Sequence, residues 1–299
     1  MNKILILFSF LILLFSSCSV KNNQPKKVEP HSRKNEPLFS LISSEITGIK
    51  FRNIITEDLY FNFLNYPYIY NGGGVASGDI NNDGLVDLYF TSNQQSNKLY
   101  LNKGNFEFEN ITEKAQVEDD RGWTTGATMI DINHDGYLDI YVCKSGSLKN
   151  DLLRKNKLYI NQKDNTFQEK AHQFNLDDGG YGTQAYFFDY DKDNDLDLYL
   201  VNHRPDFRNN VTISLDGKNN PFPYSSDKLY RNDGKIFTNI TQQAGITNNA
   251  WGLSAAIGDF NNDTYPDVYV CNDFLESDFL YINNQNGTFT NKILDKISH

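Results

Sequence analysis

From about Leu38 onward, apolar positions come in short runs separated by Gly, Asn and Asp. Four runs share one pattern, with Tyr at the centre: Leu88-Tyr-Phe90, Ile140-Tyr-Val142, Leu198-Tyr-Leu200 and Val268-Tyr-Val270. A second set repeats beside them: Lys98-Leu-Tyr-Leu-Asn102, Lys157-Leu-Tyr-Ile-Asn161, Lys228-Leu-Tyr-Arg-Asn232 and Phe279-Leu-Tyr-Ile-Asn283. A segment of mostly small residues precedes each first run: Gly74–Gly78, Gly126–Ile130, Gln184–Phe188 and Ser254–Gly258. A fourth segment follows each second run: Phe106–Thr112, Phe167–Ala171, Phe237–Thr241 and Phe289–Ile293. β-branched and aromatic residues between turn signals predict strands, and no helical periodicity exceeds two turns. Four strands per repeat is the unit of a β-propeller blade. The pattern predicts an all-β fold over residues 38–299, with blades at about 72–115, 124–173, 182–243 and 252–295. Val75, Ala127, Ala185 and Ala255 share one register, and their small side chains predict innermost strands crowded near an axis.

Between the first and second strand of each blade lies a nine-residue acidic loop. Oxygen-bearing side chains occupy positions 1, 3, 5 and 9: Asp79, Asn81, Asp83, Asp87; Asp131, Asn133, Asp135, Asp139; Asp189, Asp191, Asp193, Asp197; and Asp259, Asn261, Asp263, Asp267. Turns favour Asp, Asn and Gly for reasons unrelated to metals. Turn preference does not hold four positions in register four times. Calcium takes six to eight oxygens from carboxylates, amides and carbonyls, so the loops are candidate calcium sites. The carbonyls of Leu85, Tyr137, Asp195 and Tyr265, at position 7, would add a backbone oxygen each. Position 6 is Gly84, Gly136, Asn194 and Thr264; Thr tolerates a left-handed backbone poorly, which makes the fourth loop the weakest. An EF-hand needs Glu at position 12 and flanking helices, whereas position 12 here is Phe90, Val142, Leu200 and Val270. The first Asp recurs at intervals of 52, 58 and 70 residues, unlike a nonapeptide calcium roll.

These repeats resemble FG-GAP (VCBS-type) repeats, as in the propeller of integrin α chains. More closely, Asn71-Gly-Gly-Gly-Val-Ala-Ser-Gly-Asp-Ile-Asn-Asn-Asp-Gly84 and Ser226-Asp-Lys-Leu-Tyr-Arg-Asn-Asp-Gly234 resemble cell-envelope proteins of the ASPIC/UnbV, cartilage-acidic-protein-like group. The resemblance spans about Leu38 to His299. It implies calcium in the four loops, a binding or scaffold role, and no established catalytic residues. The group's later repeats and C-terminal module are missing, so the chain is expected to be the N-terminal part of a longer product. Phe51-Arg-Asn-Ile-Ile-Thr56 is similar to the outer strands Phe108–Thr112 and Phe237–Thr241 but has no inner strands before it. It is expected to be an orphan outer strand of a blade that this chain lacks, leaving the ring incomplete.

Ahead of the repeats, Lys3 and the apolar run Ile4–Phe15 have the shape of a signal peptide over residues 1–18; the run is too short for a spanning helix of about 20 residues. Phe15-Ser-Ser-Cys18 resembles the bacterial lipobox, which implies cleavage before Cys18 and its lipidation. Residues 19–37 are polar, without the apolar residues a core needs, and are expected to form a disordered tether. The expected location is the cell envelope, anchored to a membrane through Cys18, the outer membrane foremost.

The net charge of −10 argues against a nucleic-acid partner, which needs a basic face; calcium in the acidic loops would offset most of it. Cys143 and Cys271 occupy equivalent positions in non-adjacent blades, too far apart for a disulfide, and are expected to be buried small hydrophobes. The five His show no zinc-like spacing, and His134 falls at an outward position of the second loop. Asn202–Asp227, with His203, Arg204, Asp206, Arg208, Phe222 and Tyr224, is longer than its counterparts and reads as a surface insertion, with a ligand-binding role as the sharper alternative. The leading reading is a non-enzymatic, calcium-binding scaffold for an extracytoplasmic protein or glycan. A glycan-directed enzyme, marked by a central cluster of carboxylates or His, and an assembly subunit are the alternatives.

Overall fold

The computed structural model describes residues 39–146, 150–204, 224–234, 236–246, 248–273 and 276–296; Cys18, the signal peptide, the tether and residues 205–223 of the insertion lie outside them. The chain divides into Met1–Leu41 and Ile42–His299, and all strands belong to the second unit.

Among the described residues, sixteen strands form four four-stranded antiparallel sheets, each a meander in chain order. The first holds β1 (Val75–Gly78), β2 (Asp87–Phe90), β3 (Lys98–Asn102) and β4 (Phe108–Asn110). The second holds β5 (Trp123–Ile130), β6 (Asp139–Ser145), β7 (Lys157–Asn161) and β8 (Phe167–Glu169). The third holds β9 (Gly182–Phe188), β10 (Asp197–Asn202), β11 (Lys228–Asn232) and β12 (Phe237–Asn239), and the fourth β13 (Trp251–Gly258), β14 (Asp267–Asp273), β15 (Phe279–Asn283) and β16 (Phe289–Asn291). These are blades of the β-propeller type, and their innermost strands contact one another in succession: β1 with β5, β5 with β9, β9 with β13. The predicted small residues serve that contact. A Cβ on Gly74 would meet the Thr125 carbonyl at 2.7 Å, and one on Gly126 would fall against the Thr183 carbonyl. Ala127 and Ala185 are buried between blades, whereas Val75, with no sheet against it ahead of the first blade among the described residues, is 58% exposed.

Blade packing repeats the sequence register. Tyr89, Leu99 and Leu101 of the first blade pack on Ala127, Ile140 and Val142 of the second. Tyr141, Cys143 and Leu158 pack on Ala185, Leu198 and Leu200 of the third, and Tyr199, Val201 and Leu229 on Val268 and Val270 of the fourth. The central tyrosine hydroxyls are satisfied inside these layers. Asn97 and Asn156 donate to Tyr89 and Tyr141 at 3.0 Å, while Tyr199 and Tyr269 donate to Asp227 at 2.9 Å and Asp278 at 2.6 Å. Each of these Asx residues also accepts from a backbone N–H at the far end of the second strand, 2.7–2.8 Å away. The outer strands are shorter than the sequence pattern suggests, because the chain turns helical directly after β4 and β8, at Thr112–Ala115 and Ala171–Phe174.

Residues 51–56 depart from expectation. Among the described residues they pair with no strand, so there is no orphan outer strand. They run along the uncovered side of the first blade instead. Phe51 stacks on Phe90 at 5.1 Å, Asn53 accepts from the Asn93 N–H, and Gln94 exchanges hydrogen bonds with the backbone of Thr56. The similarity to Phe108–Thr112 reflects the same need to cover an apolar sheet face, met here by side chains. Cys143 is buried and Cys271 only half-buried, both free thiols; the fourth blade has no following sheet over Cys271 among the described residues.

Candidate metal centres and the axial cluster

Each acidic loop closes on its own first Asp. Asp79 accepts from the Asp83 N–H at 3.2 Å and the Gly84 N–H at 2.7 Å. Asp131, Asp189 and Asp259 make the same two bonds at 2.8–3.1 Å. The position-5 carboxylates of Asp83, Asp135, Asp193 and Asp263 accept from the N–H of Leu85, Tyr137, Asp195 and Tyr265. The position-3 amides of Asn81, Asn133 and Asn261 accept from the position-5 N–H. Position 6 takes a left-handed backbone in all four loops: φ is 85° at Gly84, 86° at Gly136, and 74° at both Asn194 and Thr264. Thr264 holds this conformation with a β-branched side chain, a strained choice. Its hydroxyl accepts from Lys192 of the third loop at 2.6 Å, and the Lys192 ammonium lies 4.0 Å from the Tyr265 ring.

The position-9 aspartates are the anchors. Asp87, Asp139, Asp197 and Asp267 have no exposed surface. One oxygen of each accepts from the position-2 N–H, of Ile80, Ile132, Tyr190 and Phe260, at 2.8–3.2 Å. The other accepts from the last residue of the third strand, Asn102, Asn161, Asn232 or Asn283, at 2.8–2.9 Å. Burial pushes all four carboxyls up, with repulsion from the neighbouring loop aspartates adding to it, and Asp139 and Asp197 reach about 7. Each oxygen keeps a further lone pair.

The third loop goes furthest towards a cation cage. Asp189, Asp191 and Asp197 bring carboxylate oxygens within 4.8 Å of one another. Asp191 Oδ1 and Asp195 Oδ1 are buried without a hydrogen-bond partner among the described residues. Burial first, then the neighbouring aspartates, raise both carboxyls, Asp195 to about 6. Buried, unpartnered, mutually repelling oxygens fit a hard cation in chemistry and placement. The other loops have Asn at position 3, so they carry one carboxylate fewer at the centre. Asp135 meets Lys163 at 3.5 Å and Asp263 accepts from Gln285 at 3.1 Å.

The family scan finds an FG-GAP-like repeat at residues 79–142, 147–200 and 213–270, more than half of the chain. Each match opens at or before an acidic loop and closes in the second strand of a blade. The chain belongs to the FG-GAP-like repeat family. No curated protein sequence matches it. In all four blades the acidic loop lies where the chain turns from the innermost strand into the second, with position 9 opening β2, β6, β10 and β14.

A second buried cluster, which the repeat pattern did not reveal, lies against the starting ends of the innermost strands. The stretch Phe61–Tyr70, ahead of the first blade, crosses the centre. Tyr66 packs on Trp123 at 5.6 Å, and Tyr68 donates to Asp273 at 3.4 Å. His203 sits among them, 4.9 Å from the Tyr68 ring, with Nε2 3.3 Å from Tyr66 Oη and 3.5 Å from Ser145 Oγ. Burial holds its pKa down to about 3, so the ring is neutral. His203 and Arg204 therefore correct the reading of a wholly superficial insertion: both are buried, as are Ser225 and Asp227 at its other end. A signal was present. Trp123, Tyr181 and Trp251 each stand eight residues before the first Asp of a loop. An aromatic at that register marks the axis.

Proposed function

We propose that the chain is a calcium-stabilised FG-GAP-like propeller scaffold, tethered to a bacterial membrane through Cys18, that binds an extracytoplasmic protein or glycan without a chemical step of its own. The third loop supports the metal assignment: three carboxylates converge within 4.8 Å and two buried carboxylate oxygens lack partners among the described residues. Asp189, Asp191, Asp193 and Asp197, with the Asp195 carbonyl, would hold the ion there. The matching positions would do so in the other three loops. A bound cation would supply charge neutralisation and would cross-link the innermost strand of a blade to the second; the chain's residues do the rest. The position-9 Asp holds the loop to the third strand through its Asn, so order in the loop is passed to three of the four strands. The membrane assignment rests on Ile4–Phe15 and Phe15-Ser-Ser-Cys18; among the described residues no helix is long and apolar enough to cross a membrane.

Two measurements test this reading. The full chain, expressed in a bacterium, should fractionate with membranes, and Cys18→Ala should release it or block its maturation; a fully soluble wild type contradicts the anchor. Elemental analysis of the purified chain should find calcium in preference to magnesium, which prefers a smaller octahedral shell.

A further inference from the structure

The innermost strands run from the axial cluster towards the acidic loops, and at their starting end they border a cavity of about 420 Å³. Its wall includes Tyr68, Trp123, Gln184, Tyr186, His203 and Ser254, from three blades and the stretch ahead of the first. That volume lies within the range of small-molecule sites, roughly 300–1,000 Å³. The floor is preformed: Trp123 is held edge-on by Phe61 at 5.0 Å and by Tyr66, and Tyr68 by His203. Crowding at Gly126, where a Cβ would fall against Gln184 and the Thr183 carbonyl, fixes bare backbone in the wall.

The lining is neutral. Charged residues make up 22% of the chain, yet no Asp, Glu, Lys or Arg among the described residues lines this cavity. The lining is not apolar either. Tyr186 Oη accepts from the Ala255 N–H at 2.9 Å, leaving its own proton to donate. Ser254 stands exposed at the rim. His203, 2% exposed, has an Nδ1 without a partner among the described residues, an unusual state for a buried polar atom. Aromatic faces beside uncharged donors and acceptors suit a ligand with a C–H face and hydroxyl edges. An ionic ligand would find no counter-charge among the described lining residues, and a hydrocarbon would strand the polar groups.

We propose that this cavity binds a neutral saccharide of one or two rings, stacked on the axial aromatics and hydrogen-bonded by Gln184, Tyr186 and Ser254. The proposal rests on the scaffold reading and names its ligand class. It does not depend on the acidic loops, which lie at the other end of the innermost strands.

The test is calorimetric titration of the calcium-loaded full chain with glucose, galactose, N-acetylglucosamine, rhamnose, cellobiose and lactose, using glucuronate, glucosamine and adenosine as comparators. At least one neutral sugar should bind saturably, at about millimolar Kd or tighter, and about tenfold more tightly than any comparator. Ser254→Phe, at the exposed rim, should weaken that binding at least about tenfold with an unchanged melting temperature, and Gln184→Ala should weaken it as well. No heat from any neutral sugar up to about 50 mM overturns the proposal. So does unchanged binding in Ser254→Phe, or preference for a charged sugar or adenosine. Calcium titration of the same samples separates failure here from failure of the metal assignment.

Discussion

Asp139 accepts from the Ile132 and Asn161 N–H groups at a site with no exposed surface. Asp139→Ala would leave two buried donors unsatisfied, at about 1–3 kcal/mol each. It should destabilise the chain by roughly 2–5 kcal/mol even in chelator, as read by chemical denaturation. Asp135→Ala, at a half-buried position, should cost much less in chelator and chiefly remove stabilisation by calcium. The buried carboxyls also set a pH dependence. The folded-state pKa values of Asp139 and Asp197 are raised to about 7, so their stabilising contribution is present below the unfolded carboxyl value and is lost as pH rises through the folded one. A cation favours the ionised forms and restores it. The gain in melting temperature on adding calcium should therefore be small near pH 5 and grow as pH rises past 7. A gain independent of pH contradicts the coupling; His203, which titrates without contact to the loops, cancels in the difference. At position 264 the strain is local: Thr264→Gly should stabilise the fourth loop by about 0.5–1 kcal/mol, less what Lys192 contributes.

At the scale of strands, the third-strand asparagines of the second and fourth blades join blades as well as loops, whereas Asn232 Nδ2 donates, among the described residues, only to Leu196 of its own loop. Asn161 Nδ2 donates to the Leu138 carbonyl of its own loop at 3.1 Å and to Ile80 of the preceding blade at 2.8 Å. Asn283 does the same to Pro266 and Tyr190. Asn102, in the first blade, donates to Val86 of its own loop. Asn161→Ala and Asn283→Ala should each cost about 1–3 kcal/mol, more than Asn102→Ala, since each leaves an extra buried carbonyl unsatisfied. Equal losses at all three positions contradict a stitch between blades. The innermost, second and third strands were legible in the sequence because Asp-x-Asn/Asp-x-Asp and Leu-Tyr-x-Asn recur in register. The inter-blade role of the final Asn was not, because a hydrogen bond to a preceding blade leaves no mark on local pattern. Residues 51–56 misled for a related reason: Phe-x-Asn-Ile describes a segment that covers a sheet face equally well whether its backbone joins the ladder or not.

On the scale of the whole molecule, the blades were readable and the axis was not. Tyr66, Tyr68 and His203 come from segments outside the repeat, and only the shared register of Trp123, Tyr181 and Trp251 hinted at an aromatic centre. The insertion divides the same way: its buried ends, His203 and Asp227, are structural, whereas deletion of Pro205–Pro223 with a short Gly/Ser bridge should leave the fold intact, because loop length costs little; loss of a cooperative melt contradicts that. The central proposal is that cations in the acidic loops hold the strands of each blade together. A ligand that binds only the folded state adds RT ln(1 + [L]/Kd), and extracellular calcium modules have Kd values around 10⁻⁴–10⁻³ M. At a few millimolar calcium each occupied loop would then contribute about 1–2 kcal/mol, and four would supply much of a domain's typical 5–15 kcal/mol. The most direct measurement is thermal melting of the full chain in calcium, in magnesium and in chelator. The account predicts a large rise in calcium, a small one in magnesium, and a calcium rise reduced by Asp191→Asn. Superimposable melting curves in calcium and chelator, with no calcium in the purified protein, would contradict it and reduce the four loops to Asp-rich turns.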